Sequence, residues 1–335
     1  MRLGLDIGGT KTAAAILHDD GSLATLHTAP SGHGPGEVVA VAAMLAQAAL
    51  REVSTSRLAN DGQLEAMPAY AGACMPGLVD PASGQVRHAV NLGVSSMDLR
   101  AGLCAALGME VNIENDVKAA ALGADQLMRA RRRTPESPVA GAEHRDARHG
   151  ASVHGTSEHR TLAYLNIGTG LAAAVVRDGA VLRGRDGIIG EIGHFPVAGG
   201  ALCKCGQFGC LETIASGSAL DRLWDVPGGR GHDPFAAGLA GDSMAAHAAQ
   251  TLCHGIALSL QLLVLTTGAE QIVLGGGLCA LGDSLETGIR SELARDAAAS
   301  DFVASLGLAD RFELLSSEVP VAALGAALLP SFDRL

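Results

Sequence analysis

Apolar and polar positions alternate most cleanly at the N-terminus, where Leu3, Leu5 and Ile7 line one face of a strand. A Gly8-Gly9-Thr10 turn follows, then an apolar run to Leu17, the hairpin signal Asp19-Asp20-Gly21 and a third short strand at 23–26. The segment TKTAAAIL is alanine-rich and competes as a helix, which would make this a Rossmann-like start. The turn at 19–21 comes too soon for that, because a parallel crossover needs at least about a dozen residues. No G-x-G-x-x-G is present, and GGTKT misses the P-loop pattern. Strand, glycine-threonine turn, strand is the expectation.

Helical spacing takes over at 36–53, where Val38, Val41, Ala42, Leu45 and Ala49 share a face. A strand is expected at 69–78, running into the Pro76-Gly77 loop, then a helix at 99–107, a short strand at 111–113 and a helix at 117–128. Periodicity then stops. Residues 129–160 hold RARRR, prolines, glycines, serines and histidines at 144, 149, 154 and 159, and read as a flexible insertion. The histidine spacing admits a metal, but a solvated loop accounts for it more simply.

Order resumes at 162–167, followed by Gly168-Thr169-Gly170 and a strand at 171–176. NIGTGLAAAVV thus repeats the unit DIGGTKTAAAIL, which implies two related halves facing one cleft. A long apolar helix at 243–266, a strand at 271–274, the loop Gly275-Gly276-Gly277 and a closing helix near 321–329 complete the pattern. The expected fold class is therefore α/β, in two domains: 1–116, joined by a C-terminal helix within 318–335, and 117–317.

Composition narrows the function. The formal net charge of −11 argues against general binding to DNA or RNA, which needs cationic surface. No charge-free h-region opens the chain, and the longest apolar stretch, 256–265, falls short of the about 20 residues of a bilayer span. A cytoplasmic protein without membrane or nucleic-acid partners is expected, with its thiols reduced.

Two glycine-threonine turns and a third glycine loop suit phosphates, since glycine lets backbone N–H groups approach oxygens closely. Asp116, beside Asn115 at a helix start, reads either as an N-cap or as a chemical group. His194, Cys203, Cys205 and Cys210 offer one nitrogen and three sulfurs, a tetrahedral zinc set. Their C-x-C-x4-C spacing alone leaves zinc and buried thiols both open. The other four cysteines, at 74, 104, 253 and 279, sit in apolar surroundings and read as core.

The motifs DIGGTK, ENDV, NIGTG, GEIGH, CKCGQFGCLE and GGGL, in this order, resemble the ROK family of bacterial sugar kinases and sugar-responsive repressors. That family belongs to the actin-like ATPase superfamily, and the resemblance covers 1–128 and 161–335. It implies a two-domain actin-like (ribonuclease H-like) fold with a central cleft. It further implies that ATP phosphorylates a hexose, glucose or an N-acetylhexosamine, at O6, with Asp116 as general base. Gly77, Asn91, Asn115, Glu191, His194 and Glu212 would hold the sugar. Gly8, Gly9, Thr10, Lys11, Gly168, Thr169, Gly170 and Gly275–Gly277 would hold the nucleotide, and Asp6 the Mg2+. Zn2+ would be structural, bound by His194, Cys203, Cys205 and Cys210. A homo-oligomer, dimer or tetramer, is expected. Lys118 departs from the family's kinases, which usually carry asparagine there, and Asn91 lacks the nearby tryptophan of many relatives. Other readings within the resemblance are a sugar-sensing regulator, a polyphosphate-dependent kinase and a kinase of another sugar or an aminocyclitol.

Overall fold

A computed structural model describes residues 1–59, 66–133, 160–226 and 232–329. The chain opens with β1 (Arg2–Ile7), β2 (Lys11–Leu17) and β3 (Leu23–Pro30), a meander in which Leu3 faces Ile16 and Leu5 faces Ala14. The alanine run of β2 is a strand because Ala13, Ala14, Ala15 and Ile16 are all buried by the layers on either side. Tertiary burial outweighs alanine's local helix preference. α1 (Pro35–Ala59) crosses to β4 (Tyr70–Met75), which lies parallel to β1.

The strand expected at 69–78 ends at Met75, because Gly77 turns the chain with φ +108°. A side chain there would strike the Arg87 carbonyl. A small sheet follows, β5 (Leu78–Asp80), β6 (Gln85–Ala89) and β7 (Val94–Asp98). Next come α2 (Leu99–Leu107), β8 (Glu110–Asn115) and α3 (Asp116–Arg133). α3 carries five residues of the expected insertion as helix; the remainder at 134–159 lies outside the described residues.

The second half repeats the first. β9 (Thr161–Ile167), β10 (Leu171–Arg177) and β11 (Ala180–Val181) form the meander. After the loop that holds the cysteines come α4 (Gly217–Leu223), α5 (Pro234–Leu239), α6 (Ser243–Thr267) and β12 (Gln271–Gly275). α7 (Gly282–Ala299), α8 (Asp301–Ser305), β13 (Phe312–Leu314) and α9 (Val321–Ala327) close the chain. The two five-stranded sheets run β3-β2-β1-β4-β8 and β11-β10-β9-β12-β13, each with an antiparallel meander on one side and parallel strands on the other.

Each sheet buries its own core. Leu3, Leu5, Ile7 and Ile16 pack with Val38, Ala42 and Leu45 of α1, and Leu165 and Ile167 pack with Leu252, Ile256 and Leu260 of α6. α3 and α9 run between the sheets and touch through small residues, so that a Cβ on Gly123 would meet the Val321 carbonyl. By length and composition α1 and α6 are long and apolar enough to cross a membrane, contrary to the expectation from the 256–265 stretch. Residues 243–255, which include no Asp, Glu, Lys or Arg, precede that stretch and 266–267 follow it, so that α6 reaches 25 residues. α6 is largely buried inside the protein, against the second sheet.

Candidate active site

β8 delivers the first group of site residues. Asn115 ends that strand, and its Oδ1 accepts from the backbone N–H groups of Val117 (3.1 Å) and Lys118 (3.2 Å), capping α3. Its amide nitrogen donates to Gly77 O (3.3 Å) and Asp116 Oδ1 (3.0 Å). Asp116 is thus the first helical residue rather than the cap. The hydrogen bonds from neighbouring residues, including Val117 N–H at 3.0 Å, go to Oδ1, leaving Oδ2 to receive a proton.

Burial pushes the Asp116 carboxyl above its usual range, with Glu191 adding to the shift while backbone donors and Lys118 oppose it. Asp6, at the end of β1, is pushed up to about 7, first by burial and then by the Asp116 charge. Cys74 lies behind it, Sγ 3.7 Å from Asp6 Oδ1. A carboxyl held up by burial and by a second carboxylate nearby, with oxygen donors, suits a hard divalent cation such as Mg2+. Gly77, Asn115 and Glu191 also line one small pocket with Glu114, Lys118 and Arg183.

The second group surrounds the cysteines. All seven are free thiols. The ligand atoms of His194, Cys203, Cys205 and Cys210 lie within 4.8 Å of one another. Cys205 Sγ is 3.6 Å from Cys210 Sγ, and Cys203 Sγ is 3.9 Å from His194 Nδ1. A zinc tetrahedron with Zn–S of about 2.3 Å has edges of roughly 3.8 Å, so the donor set fits that ion with little movement. Two residues that carry no metal-ligand signature shape this loop. The Gln207 amide donates to His194 O (2.8 Å) and Cys210 Sγ (3.2 Å), and Thr213 Oγ1 joins Cys210 O (2.7 Å) to Ala201 N (2.9 Å).

Glu212 ties this loop to the glycine-threonine turn of the second half. The Cys203 thiol donates to its Oε1 at 2.9 Å, and its Oε2 lies 3.0 Å from where a Cβ of Gly170 would sit. Asn91 stands similarly against the first turn, its Cβ 3.1 Å from a Cβ position on Gly9. Thr10 and Lys11 are exposed at the tip of that turn.

Gly168, Thr169 and Gly277 open on a cavity of about 600 Å³ lined also by Leu220, Trp224 and Leu281. This volume is of the size that small ligands occupy. Gly275 and Gly276 back the loop instead of lining the cavity, against the Tyr164 ring and the Ile167 carbonyl. Sequence reasoning missed the α4 wall. Its signal was Ser216-Gly217 before an apolar run, and Ser216 Oγ caps the helix by accepting from Ala219 N (3.1 Å).

Comparison with known proteins converges on one assignment. The family model described as ROK family matches residues 2–134 and 144–330. A glucokinase of Halalkalibacterium halodurans is 27% identical over 302 residues, 84% of this chain and 82% of that protein. The structure of a ROK hexokinase from Thermus thermophilus superposes with a TM-score of 0.69 at 27% identity, covering 98% of this chain and 96% of its own. A ROK family glucokinase from Streptomyces griseus, in complex with glucose and AMPPNP, gives 0.70 at 23% identity over 97% of each chain. The paired sheets and these neighbours fit a two-domain actin-like ATPase fold. The chain belongs to the ROK family.

Proposed function

We propose that this protein is an ATP-dependent sugar kinase that phosphorylates a hexose, glucose or an N-acetylhexosamine, at O6, with Asp116 as general base. The observation that carries the reading is the state of Asp116: partly buried at the start of α3, fixed through Oδ1, raised in pKa, and close enough to Asp6 and Glu191 to share their charge effects. Glucokinases among its relatives support the class of reaction. Phosphoryl transfer asks the protein chiefly for alignment and charge neutralisation. Asp116 orients the acceptor hydroxyl and takes its proton as the oxygen bonds to the γ-phosphorus and ADP leaves. Asn115, Glu191, His194 and Glu212 supply the directional donors and acceptors that a polyol needs, with Asn91 and the Gly77 carbonyl alongside.

Mg2+ would lie at Asp6 and neutralise charge on the phosphates. Zn2+ held by His194, Cys203, Cys205 and Cys210 would be structural, fixing the loop between Glu191 and Glu212. Gly8–Lys11, Gly168–Gly170 and Gly277 would cradle the nucleotide. The apolar lining of the large cavity, Leu220, Trp224 and Leu281, favours a nucleoside over polyphosphate as donor. A cytoplasmic homo-oligomer completes the reading. The test is ADP release on a panel of hexoses, N-acetylhexosamines and aminocyclitols, with polyphosphate as alternative donor. Turnover of ATP with one hexose is the expected result. Sugar binding without turnover would place the protein with the family's regulators.

A further inference from the structure

We infer that Lys118 is an acceptor-binding residue, whose ammonium donates to one oxygen of the sugar on the far side of Asp116. This deepens the proposed function and rests on the acceptor lying against Asn115, Asp116 and Glu191.

Lys118 is 4% exposed, although it lies in the first turn of α3, where the helix dipole disfavours a cation. It lines the small pocket beside Asn115 and Glu191. Arg183, the other cation there, is already paired with the buried Glu114, at 2.7 and 2.8 Å. Among the described residues no carboxylate lies within ion-pair reach of the Lys118 ammonium, and no hydrogen bond is made by it. Nor is its ammonium among the fully enclosed polar atoms of the described residues that make no hydrogen bond, so it keeps accessible surface on the pocket.

The Asp116 charge acts on Lys118 only from beyond ion-pair distance; a buried ammonium with no direct hydrogen bond is costly, and an apolar side chain of similar size is the more stable choice. Lys118 therefore lowers the stability of the ligand-free protein, and a bound group that supplies lone pairs removes that cost. An ammonium has three donors and no acceptor, so the group it meets is an oxygen. The pocket, of about 20 Å³, has room for one such oxygen, about the space a water takes. A sugar hydroxyl or an acetamido carbonyl fits, and glucuronate tests whether an anionic oxygen is accepted as well.

The experiment compares the wild type with Lys118→Met and Lys118→Arg at pH 8. It measures ADP release and thermal midpoints with glucose, N-acetylglucosamine, N-acetylmannosamine and glucuronate. In Lys118→Met the acceptor KM should rise by about 10- to 100-fold. KM for ATP should stay within about 2- to 3-fold, and the ligand-free midpoint should rise by about 2 °C. Lys118→Arg should recover part of the acceptor affinity. An unchanged acceptor KM, or a Lys118→Met midpoint lowered with the KM for ATP rising equally, overturns the inference and leaves the kinase reading standing. A wild type stabilised by a sugar without turnover defeats the kinase reading; the inference then stands if Lys118→Met loses that stabilisation and falls if it keeps it. No stabilisation by any of the four sugars overturns both.

Discussion

The two glycine-threonine turns have the same origin in an antiparallel meander and different surroundings. In the first, Gly8 N donates to Lys11 O at 3.0 Å, and β3's exit holds the turn from behind. Ser31 Oγ donates to Gly8 O (2.6 Å), and Ser31 N donates to Thr10 O (3.0 Å). In the second, Gly168 N closes on Gly170 O at the same 3.0 Å, and the brace is the start of α4. Gly217 N donates to Gly168 O (2.8 Å), and Ser218 N donates to Thr169 O (3.1 Å). The first turn packs against Asn91; the second opens on the large cavity and touches Glu212. A duplicated backbone motif has thus been specialised by what packs against it, one copy by a serine and the other by a helix.

The comparison can be broken from several sides. Stripping the metal with a chelator, or Cys205→Ser, should weaken sugar binding by about 10- to 100-fold and leave ATP binding within about 3-fold. Calorimetry with each ligand separates the two. Trp224→Ala removes an aromatic wall of the cavity next to the second turn and should raise the KM for ATP by about 10-fold, with the acceptor KM little changed. Equal losses for both substrates would mean that the halves do not divide the work. Ser31→Ala deletes one brace of the first turn and should cost about 1 kcal/mol in a denaturant midpoint, with the KM for ATP a few-fold higher.

The smallest effect is in pH. Asp116 acts ionised, and burial raises its pKa, so activity should fall as pH drops through a value above the ordinary 3.8. Glu191→Gln removes one charge that raises it, and the acid limb of kcat/KM should move to lower pH by less than about one unit. An upward movement would mean that Glu191 acts on Asp116 through contacts instead of charge.

The meanders were legible because short apolar runs flank both glycine-threonine turns, and the DDG spacing excluded a crossover even where alanines favoured helix. Asp116 and the three cysteines stood out because their residue types carry chemistry at short spacing. The sheet of β5, β6 and β7 was invisible because its strands of three to five residues are too short for alternation to register. The large cavity escaped for another reason. Gly168, Trp224 and Gly277 are brought together by the packing of three separate segments, and no local pattern links them. Lys118 is the converse case: its identity was plain, but lysines are rarely buried, and only the structure shows that this one is.

The account turns on Asp116 as the base that receives the acceptor's proton, and Asp116→Asn tests it most directly. The amide keeps the shape and hydrogen-bonding capacity at Oδ1 but cannot take the proton. ADP release with the preferred sugar should fall by about 10²- to 10⁴-fold, while calorimetric affinities for sugar and ATP and the thermal midpoint are retained. Near-normal turnover in the folded variant would contradict the assignment.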